Sequence, residues 1–116
     1  MSKDIGLHIG GSFDDIAKRV SEAWHKAERG ETVSEDNLTF VTWDAFSSTM
    51  TGKRLELLRY LHKHPQVSVS ALARALGRDY RRVHEDVEIL GRAGLIEQDE
   101  TGLHADYDEI RTVISL

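Results

Sequence analysis

Cysteine is absent from this chain, which excludes disulfides, thiolate zinc sites and thiol nucleophiles. It also fits a reducing compartment. Proline occurs once, at Pro65. No stretch approaches the ~18–20 apolar residues of a membrane helix. The opening Met1-Ser2-Lys3-Asp4 leads into no apolar segment of the signal-peptide kind. The expectation is therefore a cytoplasmic protein without a membrane partner. Catalytic signatures are missing too. No histidine pair has HExxH spacing, Gly10-Gly11 is followed by no GK[ST], and Ser47 and Ser48 have no nucleophile elbow around them. No enzyme activity, cofactor or metal is expected. There is no internal repeat and no low-complexity segment, and 116 residues suit one domain.

An overall excess of positive charge is lacking as well, since the net charge is −5. Its distribution is uneven. Residues 1–50 hold 5 basic and 9 acidic groups, residues 51–98 hold 9 and 6, and residues 99–116 hold 1 and 5. Only the middle segment suits a phosphate backbone, which would repel both flanks.

Ile5 to Ile9 alternates apolar with small or polar residues and predicts a short strand, broken by Gly10-Gly11. Phe13, Ile16, Val20, Trp24 and Ala27 recur at spacings of three and four. They predict a helix over about 12–29, entered from Ser12 and closed by Gly30. Leu38 to Val41 favours a strand. Asp44 to Met50 predicts a short helix entered from Thr42.

The informative stretch follows. Thr51 caps a helix with Leu55, Leu58 and Leu61 inward, ended at His64-Pro65 because a residue before proline is pushed out of the helical region. Ser68 caps a second helix, Val69 to Leu76, with Leu72, Ala73 and Leu76 inward. Gly77 closes it. Asp79 caps a third, with Val83, Val87 and Leu90 on its apolar face. A small residue in one helix, glycine at the turn and an apolar anchor in the next is the spacing of a helix-turn-helix. Leu95 to Asp99 and Leu103 to Ala105, joined by a turn at Glu100-Thr101-Gly102, predict a β-hairpin wing.

These elements predict an α+β fold. A winged helix-turn-helix over 51–105 would have a three-helix core plus the hairpin wing. A strand and helix extension over 1–50 precedes it, and a C-terminal strand over 106–116 follows. The third helix, 79–93, is the expected reader of double-stranded DNA, because Arg78, Arg81, Arg82 and His84 fall within seven residues at its N-terminal end. Recognition helices of this class meet base edges there, and arginine grips guanine edges or phosphate. Lys53, Arg54, Ser70 and Tyr80 complete the expected DNA surface. Glu85, Asp86 and Glu88 follow one turn later and are expected to be solvated, or to pair with Arg81, Arg82 and Arg92.

The strings Thr51–Leu58, Ser70–Asp79 and Val83–Val87, then Leu90 and Gly94-Leu95-Ile96, resemble a family of small MarR-like winged helix-turn-helix predicted transcriptional regulators. Tyr107 to Arg111 is similar to that family's C-terminal strand motif. The resemblance covers about residues 38 to 116. It extends to TumA-like antitoxins of TumE-type systems, and so implies a DNA-binding repressor or antitoxin with a cognate toxin. Members carry smaller or uncharged residues where Tyr80, Arg81 and Arg82 stand, so no operator sequence follows from it.

The ends suggest partners. Ile110, Thr112, Ile114 and Leu116 alternate along the last strand and call for a cover, the strand Ile5 to Ile9 or the helix 12–29, within one chain as an intramolecular core or from a second chain. A palindrome reader needs a dimer with recognition helices about 34 Å apart. The expectation is a homodimer with Phe13, Ile16, Val20 and Trp24 as its seam. Asp99, Glu100, Asp106, Asp108 and Glu109 offer an acidic face to a toxin. The rival reading is a winged-helix protein-interaction module with no DNA site of its own.

Overall fold

Ile5, Leu7 and Ile9 are buried at every second position of β1 (Asp4–Ile9), as an alternating strand at the centre of a sheet requires. The structure, a computed structural model, describes residues 4–10 and 36–116. The expected helix over 12–29, with Phe13, Ile16, Val20 and Trp24, lies outside the described residues. Four helices and five strands form the α+β fold described here. They fall into two compact units. One contains the residues up to Phe46 together with Asp108–Leu116, and the other is Ser47–Tyr107.

In the first unit β1 lies between β2 (Asp36–Phe40) and β5 (Glu109–Ile114), parallel to both. Parallel neighbours cannot be joined by tight hairpins. The two connections are accordingly long: residues 10–35 link β1 to β2, and the whole second unit is inserted between β2 and β5. Of the two covers expected for the last strand, the strand Ile5 to Ile9 is its neighbour, and the helix over 12–29 lies outside the described residues. β1 pairs with its edge, in the register Ile5↔Ile110, Leu7↔Thr112 and Ile9↔Ile114, and Ile114 stays 53% exposed. A parallel neighbour satisfies backbone groups and leaves both faces of the strand where they were. Phe40, Trp43 and Phe46 form a small aromatic group, with centroids 5.6 Å apart for Phe40–Phe46 and 5.4 Å for Trp43–Phe46. Helix α1 (Trp43–Thr49) starts at Thr42, whose Oγ1 accepts from the Ala45 amide.

The second unit contains α2 (Gly52–Lys63), α3 (Val69–Leu76), α4 (Tyr80–Arg92) and the antiparallel pair β3 (Glu97–Asp99) and β4 (Gly102–His104). Its caps are those read from the sequence. The side chains of Thr51, Ser68 and Asp79 accept from the amides of Arg54, Ala71 and Arg82. Gly77 takes a left-handed φ of 64°. The Arg78 amide donates to Ala73 and the Gly77 amide to Arg74, a Schellman closure that turns the chain into α4 within three residues.

The core is Leu57, Leu58 and Leu61 from α2, Leu72 and Ala73 from α3, and Val83, Val87 and Leu90 from α4. Leu95, Ile96, Leu103 and Ala105 join it from the hairpin region. Leu57 replaces Leu55 as an inward residue. A step of three residues drifts round a helix of 3.6 per turn, whereas 57, 58 and 61 hold one face. The hairpin is tied back to the helices by Gln66, which exchanges two backbone hydrogen bonds with Leu103. Glycine at 102 is obligatory. Its φ is 126°, and a Cβ there would lie 2.2 Å from the Gln66 carbonyl oxygen.

Candidate nucleic-acid interface

The first turn of α4 presents Tyr80, Arg81 and Arg82 to solvent. Tyr80 stacks loosely on His84 one turn on, with centroids 5.7 Å apart. His84 Nε2 sits 3.9 Å from Glu88, which also meets Arg92 at 3.7 Å. Neither Arg81 nor Arg82 makes an ion pair among the described residues. Both extend from a helix start whose dipole and capping aspartate are already fixed by the backbone. Ser70 is exposed in the first turn of α3, and Lys53 is exposed in the first turn of α2, 4.0 Å from Glu56.

Arg54 and Arg78 are placed differently from the expected DNA contacts. Arg54 Nε donates to Asp86 Oδ1 at 3.0 Å, and its Nη1 donates to the Ser48 and Thr49 carbonyls at 2.7 and 3.1 Å. Arg78 Nη2 donates to Asp86 Oδ2 at 2.8 Å. The three side chains are only 13%, 21% and 12% exposed for Arg54, Arg78 and Asp86. Asp86 is thus neither solvated nor paired with Arg81 or Arg82. One carboxylate joins α2, the α3–α4 turn and α4. Both guanidinium groups spend their hydrogen bonds holding the helix in place instead of facing outward.

Periodicity explains why. Arg54 continues the inward stripe of Leu57, Leu58 and Leu61, and Asp86 lies between Val83 and Leu90 on the inward stripe of α4. An acid and a base, each in the apolar face of its own helix, was the available signal. Burying a single such charge would be costly. Burying the acid with two arginines and two helix-end carbonyls offsets that cost, provided every partner is present.

The hairpin is chemically the opposite of α4. From Glu97 to His104 it carries Glu97, Asp99 and Glu100 and no lysine or arginine. His104 is held by Asp99 and Asp106, one at each ring nitrogen. Glu97, His104 and Asp106 bring ligand-type atoms within 4.8 Å of one another. Each ring nitrogen of His104 faces a carboxylate at 2.7 Å, which is the arrangement of an ion-pair cluster. His62 is half-buried near the end of α2, with Nδ1 2.7 Å from the Ala105 carbonyl. Tyr107 donates its hydroxyl to the Leu95 carbonyl at 2.6 Å, and burial pushes its phenol upward. No helix among the described residues is long and apolar enough to cross a membrane.

No curated protein and no solved structure matches the chain. Residues 49–112, from the end of α1 through the three helices and the hairpin into β5, match the HVO_A0114 family. That span is more than half of the chain, and it contains both the arginine-bearing start of α4 and the ion triad behind it: the protein belongs to the HVO_A0114 family.

Proposed function

We propose that the protein is a winged helix-turn-helix transcriptional regulator, a repressor that reads double-stranded DNA in the major groove with α4. One observation carries this reading. Arg81 and Arg82 stand exposed, with no ion pair among the described residues, on the first turn of a helix fixed from behind by Arg54, Asp86 and Arg78. Groove readers need cations on a rigid helix start, and that combination supports the assignment. Tyr80 and His84 share α4 with the two arginines, and Ser70 and Lys53 are exposed in the first turns of α3 and α2; all four suit phosphate and base-edge contacts. Arg54 and Arg78 act as positioning residues.

In this reading the hairpin stays off the phosphates, because its acids would be repelled. The regulator works as a homodimer on a two-fold operator with half-sites about 34 Å apart. The acidic hairpin also favours a second reading, a protein-interaction module that binds a basic partner such as a toxin and has no DNA site.

Fluorescence anisotropy with DNA from upstream of the protein's own gene separates the two readings. A reader binds it with an affinity that falls steeply as salt rises, and binding weakens in Arg81→Ala and Arg82→Ala. Weak binding of equal strength in all three proteins, indifferent to salt, would reject the DNA reading in favour of the second.

A further inference from the structure

We propose that His104 is a proton-operated latch on the hairpin, closed when the imidazole is doubly protonated and released when it becomes neutral. The geometry itself asks for the imidazolium. His104 Nδ1 lies 2.7 Å from Asp106 Oδ2, and Nε2 lies 2.7 Å from Asp99 Oδ2. A neutral imidazole has one N–H and one lone pair. It can satisfy one of these carboxylates and must turn a lone pair on the other. Only the doubly protonated ring donates to both.

The groups around the ring all favour this state. Glu97 of β3 adds a third carboxylate, 3.7 Å from Nδ1. Asp99 is committed as an anion. Its Oδ1 accepts from both the amide and the hydroxyl of Thr101, and these bonds, with His104, hold its carboxyl near pKa 2. The neighbouring Pro65, Thr101 and Leu103 bring no charge. From α2, His62 faces the Ala105 carbonyl. The carboxylates, Asp99 first, raise the His104 pKa above its ordinary value of 6.5, against the opposing effect of desolvation.

The latch joins three pieces of chain. Asp99 ends β3, His104 ends β4, and Asp106 lies one residue before Tyr107, which is anchored to Leu95. Closed, it pins the hairpin mouth to the segment leaving it. Since the folded pKa is raised, the stabilisation is fully present below 6.5 and is lost as pH rises through the folded value. Above that pH one hydrogen bond breaks and three carboxylates are left around an uncharged ring. The hairpin then loosens and becomes more negative at the same time.

The test is a pH titration of the full-length protein by NMR, following the His104 ring nitrogens and the amide exchange of Gln98 to Ala105 corrected for its intrinsic rise with pH. The expected result is a midpoint above the ordinary 6.5, with the ring doubly protonated below it, and hairpin protection that falls through the same midpoint. Each unit of elevation corresponds to a roughly tenfold preference for the protonated closed form. Asp106→Asn and Asp99→Asn both lower the midpoint, and His104→Gln removes the step in protection. If His104→Gln fails to fold, the two asparagine variants decide. An unshifted midpoint, or protection that does not change across it, overturns the latch. None of these residues belongs to the surface proposed for DNA, so the latch and the DNA reading fail independently.

Discussion

Arg54 and Arg78 lie behind α4, and Arg81 and Arg82 lie in front of it. All four fall in the one basic segment of an acidic chain, yet they are put to opposite uses. The rear pair is largely buried and bound to Asp86. The front pair is exposed and makes no ion pair among the described residues. Side-chain chemistry does not separate them, but position does: Arg54 lies on the inward stripe of α2 and Arg78 in the turn before α4, whereas Arg81 and Arg82 lie on the outer face of α4. A guanidinium on an inward stripe must find a carboxylate inside the protein. The same group one hundred degrees further round is free to find one outside it, or a phosphate. A count of basic residues therefore overstates a nucleic-acid surface unless the helix faces are assigned first.

The sharpest way to break this comparison is to remove the acid that divides the pairs. Asp86→Ala leaves two guanidinium groups buried without their partner, and should cost about 3–5 kcal/mol of folding stability. Urea denaturation followed by circular dichroism measures it. A loss below about 1 kcal/mol would mean that the rear arginines are as solvated as the front ones.

Arg81→Ala and Arg82→Ala should do the reverse. Stability stays within about 0.5 kcal/mol of the parent, while DNA affinity falls by about 1–3 kcal/mol for each arginine that grips a base edge. Paired denaturation and anisotropy titrations show whether the two effects separate. A variant that lost stability and affinity together would erase the distinction between front and rear. The smallest expected effect is at Lys53, exposed in the first turn of α2. Lys53→Ala should weaken binding about equally on every sequence and lower the slope of log affinity against log salt by about 1. A sequence-dependent loss would move Lys53 from phosphate contact to base reading.

How much of this was legible in the sequence depends on the range of each interaction. The caps at Thr51, Ser68 and Asp79 and the closure at Gly77 act within a few residues, so local chemistry predicted them. The start of α4 was legible for the same reason. The ion triad was only half legible: Arg54 and Asp86 each fall on an inward stripe, but they are 32 positions apart and nothing local says that they meet. The parallel order β2-β1-β5 was hidden in the same way. Alternation announces a strand but says nothing of its neighbour, and Ile114 is exposed although its pattern asked for cover. Leu95 and Ile96 are buried ahead of β3, which begins at Glu97. Their apolarity marked the core, and the strand started two residues later.

The sheet also sets a timetable for folding. Asp4 pairs with Glu109 across almost the whole chain, whereas the contacts of the helices and hairpin close within one continuous segment. Non-local pairings form slowly, because the intervening chain must be ordered before they gain anything. During synthesis β1 leaves the ribosome about a hundred residues before β5, the second of the two strands that flank it. Until then one edge of β1 is left open to pairing with other chains. The helices and hairpin reach their structure first. The β1–β5 pairing is the closure that must wait for the last strand.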